Sequence, residues 1–116
     1  MFTKNIFVLT ARTSRYAKKK KLIQVVIFDN LKELRKSVKG VFVDNSDTAG
    51  YYYACRGRFF GRIGLWKEIV GAGYFAHELQ HFIHDYMLGT GVVDNEKLAW
   101  MSGDLTGQFW TRWYEL

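Results

Sequence analysis

The sequence predicts an α+β fold in which a mixed sheet comes first along the chain and two longer helices follow. Its 116 residues suit a single domain, expected over residues 1–116. Hydrophobic residues make up 48% and aromatic residues 17% of the chain, as in folded globular proteins. Short apolar runs, some rich in β-branched residues, precede two long segments with helical periodicity. This order indicates strands followed by helices rather than regular alternation of the two.

The first part of the chain is predicted to contain three strands and one helix. Leu22–Phe28 is strongly apolar and β-branched, so we expect it to be a central strand. Asp29 or Asn30 is expected to cap the helix that follows, and Gly40 to end it. In chain order the predicted elements are a strand at Ile6–Leu9, a strand at Leu22–Phe28, a helix at Leu31–Val38, a strand at Val41–Val43 and a turn at 44–47.

The second part is predicted to contain a hairpin and two helices. The glycine-containing stretch Gly57–Gly61 indicates the turn of the hairpin. Gly89–Gly91 separates the helices, and Asp94 or Asn95 is expected to cap the second one. The predicted elements are strands at Tyr51–Arg56 and Arg62–Lys67, then helices at Val70–Leu88 and Asn95–Trp113.

Charge is unevenly distributed along the chain, whose net charge is +6. Residues 1–40 contain eleven basic and two acidic residues, a net charge of +9. Residues 41–116 contain six basic and nine acidic residues, a net charge of −3. The run Lys18–Lys21 indicates a solvated loop or strand entry, or else a nucleic-acid contact. The basic N-terminal half could therefore contact nucleic acid or an acidic protein.

Two features bear on the compartment. Cys55 is the single cysteine, so it cannot form an internal disulfide, which is typical of a reducing cytoplasm. No apolar run approaches the length that spans a bilayer, and Met1–Thr10 lacks the cleavage site of a signal peptide. We expect a cytoplasmic protein without a membrane partner.

The residues His77-Glu78-Leu79-Gln80-His81 carry the strongest functional signal. Histidines four positions apart lie on the same side of a helix, so both rings can bind one metal ion. Glu78 can then accept a proton from water bound to that ion without being a ligand itself. The histidine side, which continues to His84, lies opposite the apolar side of the helix. That predicted core side consists of Phe75, Leu79, Phe82, Ile83 and Tyr86.

A catalytic zinc ion usually has three protein ligands, so the two histidines leave one to be found. Glu96 is the first candidate, because the short connection between the helices should fold the second back against the first. His84 and Asp104 are the alternatives, although His84 better suits a role in lining the pocket. Asp85 could orient one of the ligand histidines.

These residues resemble a known family. His77-Glu78-Leu79-Gln80-His81, followed by Glu96 with Ala99 and Gly103, is similar to the minimal zincin metallopeptidases, whose third ligand is a glutamate on the following helix. The resemblance covers roughly residues 50–116 and is strongest to short proteins encoded by phages and prophages, which would act in the host cytoplasm. The third-histidine pattern of the metzincins is not matched. What the resemblance implies is a small zincin-like domain, with a mixed sheet, an HExxH active-site helix and a C-terminal ligand helix.

The resemblance further implies one Zn²⁺ per chain and hydrolysis of peptide bonds in a protein or peptide substrate. In this family an extended substrate adds to a sheet edge above the site, and Arg62–Trp66 is the candidate edge, through Arg62, Gly64 and Trp66. A group that stabilises the oxyanion is also required. The candidates are Tyr51, Tyr52, Tyr53, His84 and Tyr114, and Tyr53 is included in the predicted pocket.

Three functions follow from these observations. The first is a zinc-dependent metallopeptidase in which Glu78 activates the zinc-bound water. The alternative is a phage-type binding or inhibitor protein on a zincin scaffold, whose basic N-terminal half contacts nucleic acid or an acidic host protein. The third is a zinc hydrolase that acts on a different carbonyl group, since the same water chemistry serves both.

Overall fold

A four-stranded mixed sheet lies at the centre of the fold in the computed structural model, which describes residues 4–38 and 49–116. Its strands are β1 at Lys4–Ala11, β2 at Lys21–Phe28, β3 at Gly50–Ala54 and β4 at Phe59–Trp66. Their order in the sheet is β1-β2-β4-β3. β1 is antiparallel to β2, β2 is parallel to β4, and β3 is antiparallel to β4.

Three α-helices and one 3-10 helix accompany the sheet within the described ranges. They are α1 at Leu31–Ser37, the 3-10 helix at Lys67–Ala72, α2 at Tyr74–Thr90 and α3 at Asn95–Tyr114. The prediction of an α+β fold with a mixed sheet is therefore confirmed. The predicted strand at Val41–Val43, the helix end at Gly40 and the turn at 44–47 lie outside the described residues. None of the described helices combines the length and apolar character needed to cross a membrane.

β4 occupies an interior position, which corrects the prediction that Arg62–Trp66 is an edge. β4 pairs with β2 on one side and with β3 on the other. Its backbone hydrogen-bonding groups are therefore already used, and no further strand can be added to it. Among the described strands, β1 and β3 form the two edges of the sheet.

The two faces of the sheet are covered by different helices. Successive residues of a strand point to opposite faces, so β2 contributes to two apolar clusters. Ile23, Val25 and Ile27 pack with α2 and α3, whereas Val26 and Phe28 pack with α1. The strongly apolar sequence of β2 is explained by this burial on both faces.

α2 and α3 pack side by side in opposite directions. All five predicted core residues of α2 are buried, as expected from their helical spacing. Phe75, near the start of α2, stacks on Phe109, near the end of α3, with ring centroids 3.9 Å apart. Because only residues 91–94 connect the helices, the start of α3 lies beside the end of α2.

The helix boundaries follow local chemistry. Asn30 caps α1 by accepting hydrogen bonds from the backbone N–H groups of Lys32 and Glu33, and Asp94 caps α3 in the same way. The helix predicted from Val70 is divided, because Gly73 adopts a left-handed conformation with φ of 84° between the 3-10 helix and α2. α2 then continues to Thr90, two residues past the predicted end at Leu88.

The outer edge of β1 is partly covered by α3. The side-chain amide of Gln108 accepts a 2.9 Å hydrogen bond from the backbone N–H of Thr10 and donates one of 2.9 Å to its carbonyl. The same amide nitrogen donates to Asp104, which lies 4.0 Å from the guanidinium of Arg12. These contacts attach the last helix to the first strand through polar groups.

A close approach between β3 and β4 depends on glycine. The ring of Tyr51 lies over Gly64, its partner in the register. A Cβ atom at Gly64 would lie 2.2 Å from Cε2 of that ring, which no real contact allows. Tyr51 is only 3% exposed and stacks on Tyr53, so it has little room to move.

Candidate metal centre

The first turns of α2 bring His77, Glu78 and His81 together. One ligand atom from each side chain lies within 4.8 Å of the others. The two imidazole rings have centroids 5.0 Å apart and planes inclined by 77°. Helical geometry produces this arrangement, because residues four apart are neighbours on the helix surface. The prediction that these residues adjoin one another is therefore confirmed by their geometry.

The three side chains differ in exposure. His77 and His81 are exposed to solvent, whereas Glu78 is only 5% exposed. The carboxylate of Glu78 points toward the beginning of β3, where a Cβ atom on Gly50 would lie 3.5 Å from its Oε2 atom. The site thus has two accessible imidazoles and a carboxylate buried between the helix and the sheet.

The burial of Glu78 changes the pKa of its carboxyl group. It raises the pKa of the Glu78 carboxyl group above its usual range, and the neighbouring His77 partly opposes this rise. Within residues 4–38 and 49–116, Glu78 takes part in no hydrogen bond and no ion pair. A buried carboxylate without such partners is costly, and a nearby cation would offset that cost.

The donor set could hold a divalent metal ion, and zinc is one that it suits. Imidazole nitrogen and carboxylate oxygen are common zinc ligands, and zinc to nitrogen distances of about 2.0–2.1 Å separate two tetrahedral ligand atoms by about 3.3 Å. The observed upper limit of 4.8 Å is larger, so modest side-chain rotations would bring the two histidines onto one ion. Both histidines are exposed, and such rotations are therefore unhindered by the core.

Glu96 does not join this group in the described arrangement. Phe109 contacts Phe75 near the start of α2, and Glu96 lies thirteen residues before Phe109 on the same helix. Because each helical residue advances 1.5 Å, Glu96 lies on the order of 10 Å past His81, measured along the axes of the two helices. Glu96 itself is exposed at the first turn of α3.

The two alternative third ligands are also outside the group. His84 is exposed on the histidine side of α2, one turn beyond His81. Asp104 faces β1, where it accepts a hydrogen bond from Gln108 and approaches Arg12. Asp104 is therefore engaged elsewhere in the fold.

Asp85 has a partner that the sequence did not suggest. The hydroxyl of Tyr52 donates a 2.6 Å hydrogen bond to Oδ2 of Asp85, which joins β3 to α2 one turn after His81. Burial and the adjacent Asp85 raise the pKa of Tyr52 well above its usual range. Asp85 thus fixes the edge strand against the site helix. No ion pair between Asp85 and a histidine occurs in the part of the chain that is described.

Tyr53 lies on the opposite face of the sheet, which corrects its placement in the pocket. Its hydroxyl accepts a 2.8 Å hydrogen bond from Arg62, and Arg62 also donates to Gln24 at 2.6 Å. Because strand residues alternate between faces, Tyr52 points toward α2 and Tyr53 away from it. Tyr52 accordingly contacts the core residue Phe82 of α2, with ring centroids 6.1 Å apart. Strand alternation alone could have indicated that Tyr52 and Tyr53 lie on opposite faces.

Gly50 is a site residue that the sequence reasoning missed. It lies opposite Leu65 at the start of β3, directly beside Glu78. Nothing in the local sequence indicates this proximity, because it depends on how α2 crosses the sheet.

Comparison with protein-family models, with curated proteins and with solved structures found no match to this chain.

Proposed function

We propose that this chain is a zinc-dependent metallopeptidase of zincin type. The observation that carries the proposal is the grouping of His77, Glu78 and His81, with two exposed imidazoles beside a buried carboxylate that has no hydrogen-bond partner in the described ranges. His77 and His81 would bind the ion through their ring nitrogens. The exposure of both rings leaves room for water and substrate.

In the proposed reaction, the metal ion and Glu78 would have different roles. A zinc ion held here would acidify water and polarise a substrate carbonyl group. Glu78 accepts the proton of the attacking water and delivers it to the leaving amine.

The substrate would lie along β3 rather than along β4. β3 is an edge of the described sheet, and its first residue, Gly50, is beside the carboxylate of Glu78. An extended peptide paired with this edge would pass Gly50 and so approach the carboxylate of Glu78. The Tyr52–Asp85 hydrogen bond would keep β3 at a fixed distance from α2.

The first test measures metal content and peptide hydrolysis in the purified protein. We expect one zinc per chain, lost in His77→Ala and in His81→Ala. His84→Ala is the matched control, because His84 lies on the same side of α2 but outside the group. Equal zinc loss in the control would contradict the assignment.

Glu78→Gln separates the metal from the reaction. It should retain zinc and lose at least 100-fold in kcat/KM on a casein-derived peptide library, since it removes the proton acceptor and little volume. Full activity in Glu78→Gln would reject the mechanism while leaving the metal site intact.

A separate variant addresses the third ligand. The described packing predicts that Glu96→Ala retains more zinc affinity than His81→Ala, because Glu96 lies outside the group. An equal loss in both variants would show that α3 shifts along α2 when the metal binds, and would restore Glu96 as the third ligand.

A further inference from the structure

The end of the sheet farthest from the start of β3 carries a concentrated positive charge. The β1–β2 connection and the β3–β4 turn meet there, because Ala11 pairs with Lys21 and Leu22 pairs with Phe59. Residues 12–21 and 55–59 together contain eight basic residues and no acidic residue. This cluster cannot be recognised from the sequence alone, because the two segments are more than 30 residues apart.

Most of these cations are free of acidic partners. Seven of the eight basic residues are exposed, and none of those seven forms an ion pair within residues 4–38 and 49–116. These seven are Arg15, Lys18, Lys19, Lys20, Lys21, Arg56 and Arg58. The eighth, Arg12, lies near Asp104 and donates a 3.3 Å hydrogen bond to the backbone carbonyl of Arg15. This bond links two residues of the β1–β2 connection.

Aromatic rings alternate with these charges. The guanidinium of Arg15 lies 5.8 Å from the ring centroid of Tyr16, and that of Arg58 lies 5.4 Å from Phe59. The ammonium of Lys21 lies 5.7 Å from the ring centroid of Phe60, the residue that follows the second segment, so the two segments are adjacent. Tyr16 is 84% exposed, so one face of its ring is open to a partner.

We propose that this surface binds single-stranded nucleic acid. Unpaired lysines and arginines attract the phosphate backbone, and an exposed tyrosine beside arginine offers a platform for an unpaired base. An acidic protein would use the charges but would leave the exposed ring of Tyr16 without a stacking partner. The surface is at the opposite end of the sheet from Gly50 and Glu78, so it is independent of the proposed metal site.

The test is fluorescence anisotropy with labelled 20-nucleotide oligo-dT and oligo-U, at several salt concentrations. For about four phosphate contacts, the logarithm of the affinity should fall with the logarithm of salt with a slope of about −3. The double variant Lys19→Ala/Lys20→Ala should make that slope less steep by about 1.4. Lys32→Ala/Lys36→Ala is the control, because it removes the same charge from exposed positions on α1.

Tyr16→Ala tests the stacking. It should weaken binding about 5- to 100-fold with an unchanged salt slope, whereas Tyr114→Ala, another exposed tyrosine, should have no effect. Binding in Glu78→Gln should equal that of the wild type, which separates this proposal from the metallopeptidase.

Three results would overturn the proposal. The first is the absence of oligonucleotide binding at 50 mM salt. The second is equal weakening by the variants on α1, which would indicate a diffuse charge effect. The third is displacement of the oligonucleotide by poly-L-glutamate at equal charge concentration together with an inert Tyr16→Ala, which would assign the surface to an acidic protein.

Discussion

Replacing Glu78 by glutamine should stabilise the metal-free protein at neutral pH. Glu78 is 5% exposed and has no hydrogen bond within the described ranges, so the desolvation of its charge is offset only in part, by the neighbouring His77. Burial accordingly raises its pKa. Glutamine keeps the shape of the side chain and removes the charge. The residue that the proposed reaction needs is therefore one that the empty fold tolerates poorly.

The sign and magnitude of this effect depend on pH. An unfolded glutamate has a pKa of about 4.3, and each unit by which folding raises the pKa costs about 1.4 kcal/mol once both states are ionised. The folded state binds more protons than the unfolded state between the two pKa values, so wild-type stability falls as pH rises through that window. We expect Glu78→Gln to be on the order of 1–2 kcal/mol more stable at pH 8 and nearly equal to the wild type at pH 4.

Urea denaturation in the presence of EDTA, at pH 4 and pH 8, measures this difference. Glu68→Gln is the matched control, because Glu68 is exposed in the 3-10 helix and its neutralisation should change stability by less than about 0.5 kcal/mol at either pH. A loss of stability in Glu78→Gln that grows from pH 4 to pH 8 would refute the reasoning. It would mean that the carboxylate is favourably paired in the metal-free fold.

Three further changes test the packing around the site. Tyr52→Phe should destabilise the protein by about 1–2 kcal/mol in thermal or urea unfolding, because it leaves the partly buried Asp85 without its 2.6 Å hydrogen bond. Gly64→Ala should cost about 1–3 kcal/mol, since the new methyl group meets the ring of Tyr51, and an unchanged midpoint would show that the ring moves freely. Gly107→Ala should instead stabilise α3 by about 0.5–1 kcal/mol, because the new methyl group would have no described atom within 4 Å apart from its chain neighbours and the backbone of its own helix, and a loss would contradict the open surface there.

Local patterns in the sequence predicted much of the fold. The apolar run of β2 and the spacing of buried residues in α2 follow from periodicities that neighbouring residues express. The sequence predicts one cap at Asp29 or Asn30 and another at Asp94 or Asn95. In the structure Asn30 and Asp94 are the caps, because their side chains accept hydrogen bonds from the first turn. The site motif was predicted for the same reason, because His77 and His81 are brought together by a single helix.

Relations between distant segments were harder to predict. The interior position of β4 arises from its parallel pairing with β2, and no local pattern in Arg62–Trp66 specifies that partner. The distance between Glu96 and the histidines depends on how far α2 continues before α3 begins. The sequence predicts the start of α3 at Asn95 correctly, but it does not show that the antiparallel packing of Phe75 on Phe109 leaves that start beyond His81.

The pairing of Gln108 with Thr10 has a consequence for how the chain folds during synthesis. An edge strand with free backbone groups invites pairing with other chains, and the amide of Gln108 occupies the N–H and the carbonyl of Thr10. These residues are 98 positions apart. At this position the outer edge of β1 therefore stays open to intermolecular pairing until residue 108 has been synthesised and α3 has packed against the sheet.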